Sequence, residues 1–273
     1  MSATQHAQST ASRAADSKPL EYLARGGFIG YGIVHLLFAW LAMQIAFGQS
    51  KGDGDQSGAL RTIAAQPLGK TLVILIAVGM VAMAIWQAFE AAIGHRSDQG
   101  QERTKERAVS GFRAIVYAWV AWTSVKVVTG ANSSYADKQE KASKDLMAAT
   151  GGRWLVGLIG LAVVAVGVFL VIHGITKRFE KHLTAGRMSP SVRQTTRRLG
   201  VAGYAAKGVA YAIAGVLVVV AAVTYDPAKA RGLDAGLRAL AEQSYGTWLL
   251  ALVALGIAAY GVFCFMESRY RKV

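Results

Sequence analysis

Long apolar blocks limit this chain more than any other feature, and "GLIGLAVVAVGVFLVIHG" (157 to 174) is the clearest of them. It is apolar on every side, so a helix through it has no polar face to turn toward water. Six stretches approach the roughly 20 residues that cross about 30 Å of hydrocarbon. They are 27–47, 70–93, 110–129, 153–176, 199–223 and 246–267. Pro19, Pro67, Pro190 and Pro227 all fall outside these spans, where chain punctuation belongs. Composition agrees: 53% of residues are hydrophobic and only 17% charged, against about a quarter charged in soluble domains. The opening "MSATQHAQSTASRAADSKPL" has no apolar core and no cleavage pattern, so it reads as a polar, disordered tail and not a secretory signal. Cys264 is the only cysteine. It lies inside the sixth block, so no internal disulfide is possible.

The net charge of +14 invites a nucleic-acid partner, but its distribution argues against one. The fourth connection alone carries Lys177, Arg178, Lys181, Arg187, Arg193, Arg197 and Arg198. The first, third and fifth connections offset their basic residues with Asp53, Asp55, Asp137, Glu140, Asp145, Asp226, Asp234 and Glu242. That asymmetry is the positive-inside pattern and predicts both termini in the cytoplasm. It also predicts attraction to anionic lipid headgroups on that side.

The blocks are copies of one unit. "LARGGFIGYGIVHLLFAW" (23 to 40) lies over "LGVAGYAAKGVAYAIAGV" (199 to 216) without a gap, and "VSGFRAIVYAWVAW" (109 to 122) is a weaker middle copy. Gly27 falls on Gly111 and Gly203, and Gly32 on Gly208. The second helices align too: residues 67–90 match 150–173 and 244–267. Short amphipathic segments at 60–69, 143–152 and 237–246 read as interfacial helices between the members of each pair. Each unit crosses the membrane twice, so successive copies keep one orientation, as in parallel repeats about an axis along the membrane normal.

The openings "ARGGFIGYGIVH" and "GYAAKGVAY", the segment "LRALAEQSYG" and the terminus "YGVFCFMESRYRKV" resemble the repeated motif of a bacterial membrane family known as domain of unknown function 1206. The resemblance runs from about residue 20 onward. It implies a six-helix protein of the bacterial cytoplasmic membrane, and it brings no activity or active-site residue with it. The middle copy departs from the motif, with Ser110 in place of Gly26 and Val116 in place of Gly32.

The expected fold is all-α: an integral membrane six-helix bundle of three parallel two-helix repeats, pseudo-threefold, with short outer interfacial helices. The divisions are a tail at 1–24 and repeats at 25–96, 107–178 and 197–273. Small residues four apart (Gly26 and Gly30, Ser110 and Ala114, Ala202 and Ala206) predict close helix packing in every copy.

Candidate chemistry is sparse. Lys207 shares its repeat position with Tyr31 and Ile115. It lies about 6 Å of helix inside Gly203, near enough for its stem to reach back to the headgroups, and this reading outweighs a ligand role. Arg113 is read the same way. His35, which aligns with Trp119 and Tyr211, reads first as a hydrogen-bonded core histidine and second as a proton or ion site. Glu90, His173 and Glu267 are equivalent in the three copies. They would form a carboxylate and imidazole cluster if the second helices surround the axis. Each lies roughly 31 Å beyond its helix start, so a hydrated interface with local ion pairing is the plainer reading. Glu90 precedes His95 and Arg96, and Glu267 precedes Arg269 and Arg271. No Walker, HExxH or CxxC pattern is present, so no enzyme activity, metal or cofactor is expected. The expected partners are the bilayer, anionic lipids and other membrane proteins. The expected role is a scaffold or accessory subunit, with a solute or ion conduit along the axis as the alternative.

Overall fold

The computed structural model describes residues 18–49, 54–94, 100–130 and 134–271. The tail before Lys18, and His95 and Arg96 with their expected pairing to Glu90, lie outside the described residues. Among the described residues the chain forms nine α-helices and no strand. The helices are α1 (Lys18–Ala46), α2 (Gln56–Ala64), α3 (Gly69–Ile93), α4 (Gly100–Val128), α5 (Tyr135–Ala148), α6 (Gly152–Ile175), α7 (Pro190–Thr224), α8 (Leu233–Ala241) and α9 (Gly246–Tyr270). By length and composition, five of them (α1, α3, α6, α7 and α9) can each cross a membrane. The sixth expected span falls on α4, which is 29 residues long but interrupted by Arg113, Thr123, Ser124 and Lys126.

Helices α1, α4 and α7 start nine or ten residues before their apolar blocks, which begin at 27, 110 and 199. Helix α7 begins at Pro190 because Ser189 caps it, its side chain accepting from the Val192 N–H, and proline suits the first helical position. This adds a basic extension carrying Arg193, Arg197 and Arg198. Helix α1 begins at Lys18, so the expected disordered tail at 1–24 is too long at its inner edge. Residues 18–24 continue a helix that the apolar block alone would start at 27.

Short helices α2, α5 and α8 stand together at one end, here the cap end. Asp55 caps α2 and Ser134 caps α5. The buried Asp234 carboxylate of α8 accepts from the Gly54 N–H at 2.7 Å, Arg238 at 2.9 Å and Arg231 at 3.2 Å. Arg231 also reaches Asp137 and Glu140. One arginine and one aspartate therefore tie the three connections together.

At the opposite, basic end, Arg25 donates to the carbonyls of Ser268 and Arg269, and Ser268 donates back to the Arg25 carbonyl. Both the backbone N–H and the hydroxyl of Thr184 bond the Tyr270 carbonyl at 2.8 Å, which fixes the α6–α7 connection to the end of α9.

The long helices are neighbours in the order α6, α7, α9, α1, α3, α4. Glycines set the closest approaches. A Cβ on Gly32 would stand 2.7 Å from the Gly261 carbonyl oxygen, and one on Gly208 would stand 2.5 Å from that of Gly167. Gly167 and Gly261 are equivalent in the repeat, so one between-repeat contact is built twice. The tight positions are not those expected. Nothing lies within 4 Å of a Cβ on Gly26, and on Gly30 it would make ordinary contact at 3.6 Å. The seam runs through the adjacent register instead, at Gly27, Gly32, Gly203 and Gly208. In the third copy the Ala202–Ala206 stripe presses on a partner, Gly256.

A closed bundle would also pair α4 with α6, the two helices of the middle copy. Among the described residues they share no extensive contact.

Candidate functional site

The expected candidates separate into one group the fold assembles and one it does not. Tyr31 and His35 lie one helical turn apart on α1 and are both buried, at 5% and 3% exposure. Gly203 lets α7 lie directly on α9, since a Cβ there would stand 2.6 Å from Tyr260 Cα. That approach carries Lys207 across the interior. Its Nζ donates to Tyr31 Oη at 3.0 Å and lies 3.3 Å from His35 Nε2. It also sits 4.3 Å from the centroid of the Tyr260 ring, within cation–π range. Lys207 therefore does not reach back to headgroups. Inward partners hold its ammonium, which corrects the snorkelling expectation.

His35 has a defined role in this contact. Its Nδ1 is 2.9 Å from the Tyr31 carbonyl, which can only accept, so Nδ1 carries the donated hydrogen. Nε2 is left as the acceptor facing Lys207. Tyr211 completes the group: with His35, Lys207 and Leu233 of α8 it lines a cavity of about 10 Å³, room for a single water at most.

Tyrosines extend the centre toward the basic end. Tyr31 meets Tyr117 edge-on at 5.2 Å, and Tyr260 meets Tyr204 at 5.1 Å. Tyr204 then stacks on Phe179 at 5.5 Å. Phe179 lies in the 3₁₀ turn Arg178–His182 and is 1% exposed. It fits because Gly200 of α7 has no side chain: a Cβ there would strike the Phe179 ring. A loop residue thus closes the middle of the bundle. The one sign of it in the sequence was a lone phenylalanine within the basic run "KRFEKH".

Glu90, His173 and Glu267 do not converge. Among the described residues no three His, Cys, Asp or Glu side chains come together to hold a metal. Glu267 is buried and paired with Arg271 one turn on. The Arg271 guanidinium lies over the rings of Phe28 and Trp86 at 5.0 and 5.4 Å. His173 is buried against Tyr204 and Phe179, while Glu90 stays half-buried at the far end of α3. Local ion pairing of Glu267 was foreseen, but its burial was not.

Around the plug, the ionisable groups of the connection respond to their surroundings. A bidentate hydrogen bond from Arg197, at 2.6 and 3.0 Å, holds the Glu180 carboxyl below its ordinary value. Burial, reinforced by Arg271 and Arg113, pushes His182 down to about 2. It remains a neutral packing group at every ordinary pH.

The repeat seen in these contacts also marks the family. The chain matches Domain of Unknown Function (DUF1206) three times in tandem, at residues 26–94, 109–177 and 202–271. The chain belongs to this family. Its three matches coincide with the three helix pairs. A relative in Bacillus subtilis (strain 168), "Uncharacterized protein YxxB", is 28% identical over 260 residues, which cover 94% of each chain. No solved structure matches.

Proposed function

We propose that this chain is a six-helix protein of the bacterial cytoplasmic membrane, with α4 as the sixth crossing and both termini in the cytoplasm. It is non-enzymatic and acts as a scaffold or accessory subunit, in contact with lipid and other membrane proteins. The supporting observation is the filled interior. The rings of Tyr31, Tyr260, Tyr204, Phe179 and Phe263 occupy the space a pore would need, and the cavity beside them admits at most one water. Conduction needs polar groups or carbonyls at several depths along a shared lumen. The outward surface is apolar instead, with Leu158, Leu161, Phe169, Leu252 and Leu255 exposed. Flux assays in proteoliposomes, run beside co-purification from native membranes, test this. The expected result is no specific flux together with a reproducible membrane-protein partner.

One observation favours a second reading, a solute or ion conduit that opens. Lys207 and His35 form an ionisable pair inside the spans, and such groups mark ion and proton paths in many membrane proteins. Specific flux abolished by His35→Ala would replace the scaffold reading with this one.

A further inference from the structure

The middle copy is not packed like the others, and the repeat register shows what is missing. Gly27 closes on α3, where Met83 is fully buried, and Gly203 closes on α9 at Tyr260, 6% exposed. The equivalent Gly111 meets only Ala91 of α3, at 3.7 Å, and nothing of α6. Val166, the counterpart of Met83 and Tyr260 on α6, is 36% exposed. Ile115 and Trp119 take the places of the buried Tyr31 and His35, and they are 69% and 55% exposed.

A window therefore stands between α4 and α6. It is closed at the cap end by Tyr135 of α5, stacked on Trp119 at 5.4 Å. At the basic end it is closed by the Lys181–Glu106 ion pair.

Charge within the bundle is also one-sided near this window. Arg113 of α4 is half-buried, within electrostatic reach of Glu267, Tyr204, Tyr117 and Tyr260. Among the described residues it has no hydrogen bond or ion pair. Glu267, the carboxylate within its electrostatic reach, is already paired with Arg271. Lys207 adds a further cation, bound only to uncharged partners. An arginine in a low-dielectric site without an anion is costly, and guanidinium binds phosphate with two parallel N–H donors.

We propose that the α4–α6 window holds a phospholipid from the leaflet at the basic end, its acyl chain against Ile115, Trp119 and Val166 and its anionic phosphate on Arg113. The inference rests on the membrane reading above. An apolar opening between two lipid-facing helices accepts an acyl chain, and the Arg113 guanidinium, unpaired among the described residues, supplies the charge complement.

The test uses the full chain reconstituted in vesicles of equal parts phosphatidylglycerol and phosphatidylcholine, then extracted in mild detergent for native mass spectrometry. The expected result is retention of phosphatidylglycerol over phosphatidylcholine, at about one per chain. Arg113→Gln loses it by about tenfold or more, whereas Arg113→Lys, which keeps the charge but not the two parallel donors, retains part of it. Retention unchanged in Arg113→Gln overturns the proposal. So does displacement by inorganic phosphate, which would make the ligand a soluble anion. A lipid-free dimer overturns it as well, because a second copy would then cover the window. If Arg113→Gln loses its helical circular dichroism, wild-type protein with phosphatidylglycerol bearing a photoreactive acyl chain decides: labels on both α4 and α6 support the window, and labels only elsewhere refute it. Failure of the chain to enter vesicles at all would refute the membrane reading itself, a separate outcome.

Discussion

Replacing Gly208 by alanine tests whether glycine contacts hold the repeats together. The new Cβ would stand 2.5 Å from the Gly167 carbonyl oxygen and 2.8 Å from the Val171 nitrogen. Both are backbone atoms, so no side chain can swing aside. The closer contact is roughly 0.9 Å short of the 3.4 Å where ordinary contact begins. Helices α6 and α7 must therefore separate along a seam that also includes Gly160 and Gly215. Overpacking of this kind costs about 1–3 kcal/mol. Alanine also favours helix by about 1 kcal/mol over glycine, so a single variant mixes two opposing terms. Gly26→Ala removes the ambiguity: it makes the same chemical change inside α1, with nothing within 4 Å of the added carbon. The propensity term then cancels between the two variants, leaving a difference of about 1–3 kcal/mol. Unfolding both in mixed micelles of increasing sodium dodecyl sulfate, followed by far-ultraviolet circular dichroism, reads that difference. Equal midpoints for the two variants would refute the claim that Gly208 is a contact position.

Further outcomes follow from other parts of the fold. Phe179→Ala removes a plug 1% exposed and costs about 3–5 kcal/mol; Cys264, buried in the native chain, should gain reactivity toward a water-soluble maleimide. His182 stays neutral when folded but takes a proton near 6.5 when unfolded, so its contribution is complete above that pH. It is lost progressively as pH falls from about 6.5 toward about 2. Melting temperatures at pH 8, 6 and 5 should decline more steeply for the native chain than for His182→Gln. Asp234→Ala removes the buried acceptor of the Gly54 N–H and one hydrogen bond each from Arg231 and Arg238. It should cost about 1–3 kcal/mol and speed proteolysis of the cap end, while Asp234→Asn retains part of that loss.

Residue patterns and assembled contacts can be separated element by element. Five of the six expected crossing segments and the threefold recurrence were legible because each depends on local pattern: apolar length sets what can enter a bilayer, and glycines recur at matching positions. The short cap helices were legible for the same reason, shifted a few residues toward their caps at Asp55 and Ser134. Tyr31, His35, Lys207 and Tyr211 were recognised as unusual one by one. Their meeting was not foreseen, because it requires α1 and α7, 176 residues apart at Tyr31 and Lys207, to close on the same side of α9.

Two features belonged to tertiary structure alone. Phe179 is an ordinary loop phenylalanine until Gly200 leaves room for its ring, and nothing in its neighbours' spacing points inward. The open α4–α6 window likewise breaks a symmetry that the repeat implies. Val116 and Ile115 depart from the motif, but only packing decides whether a departure is absorbed or leaves a gap. By itself the sequence determined the helices, their number of copies and their affinity for a membrane, since each follows from nearest-neighbour chemistry. The tertiary structure decided which side of each helix faces in, where Lys207 finds partners and where Arg113 finds none among the described residues, because those depend on contacts between segments far apart in the chain.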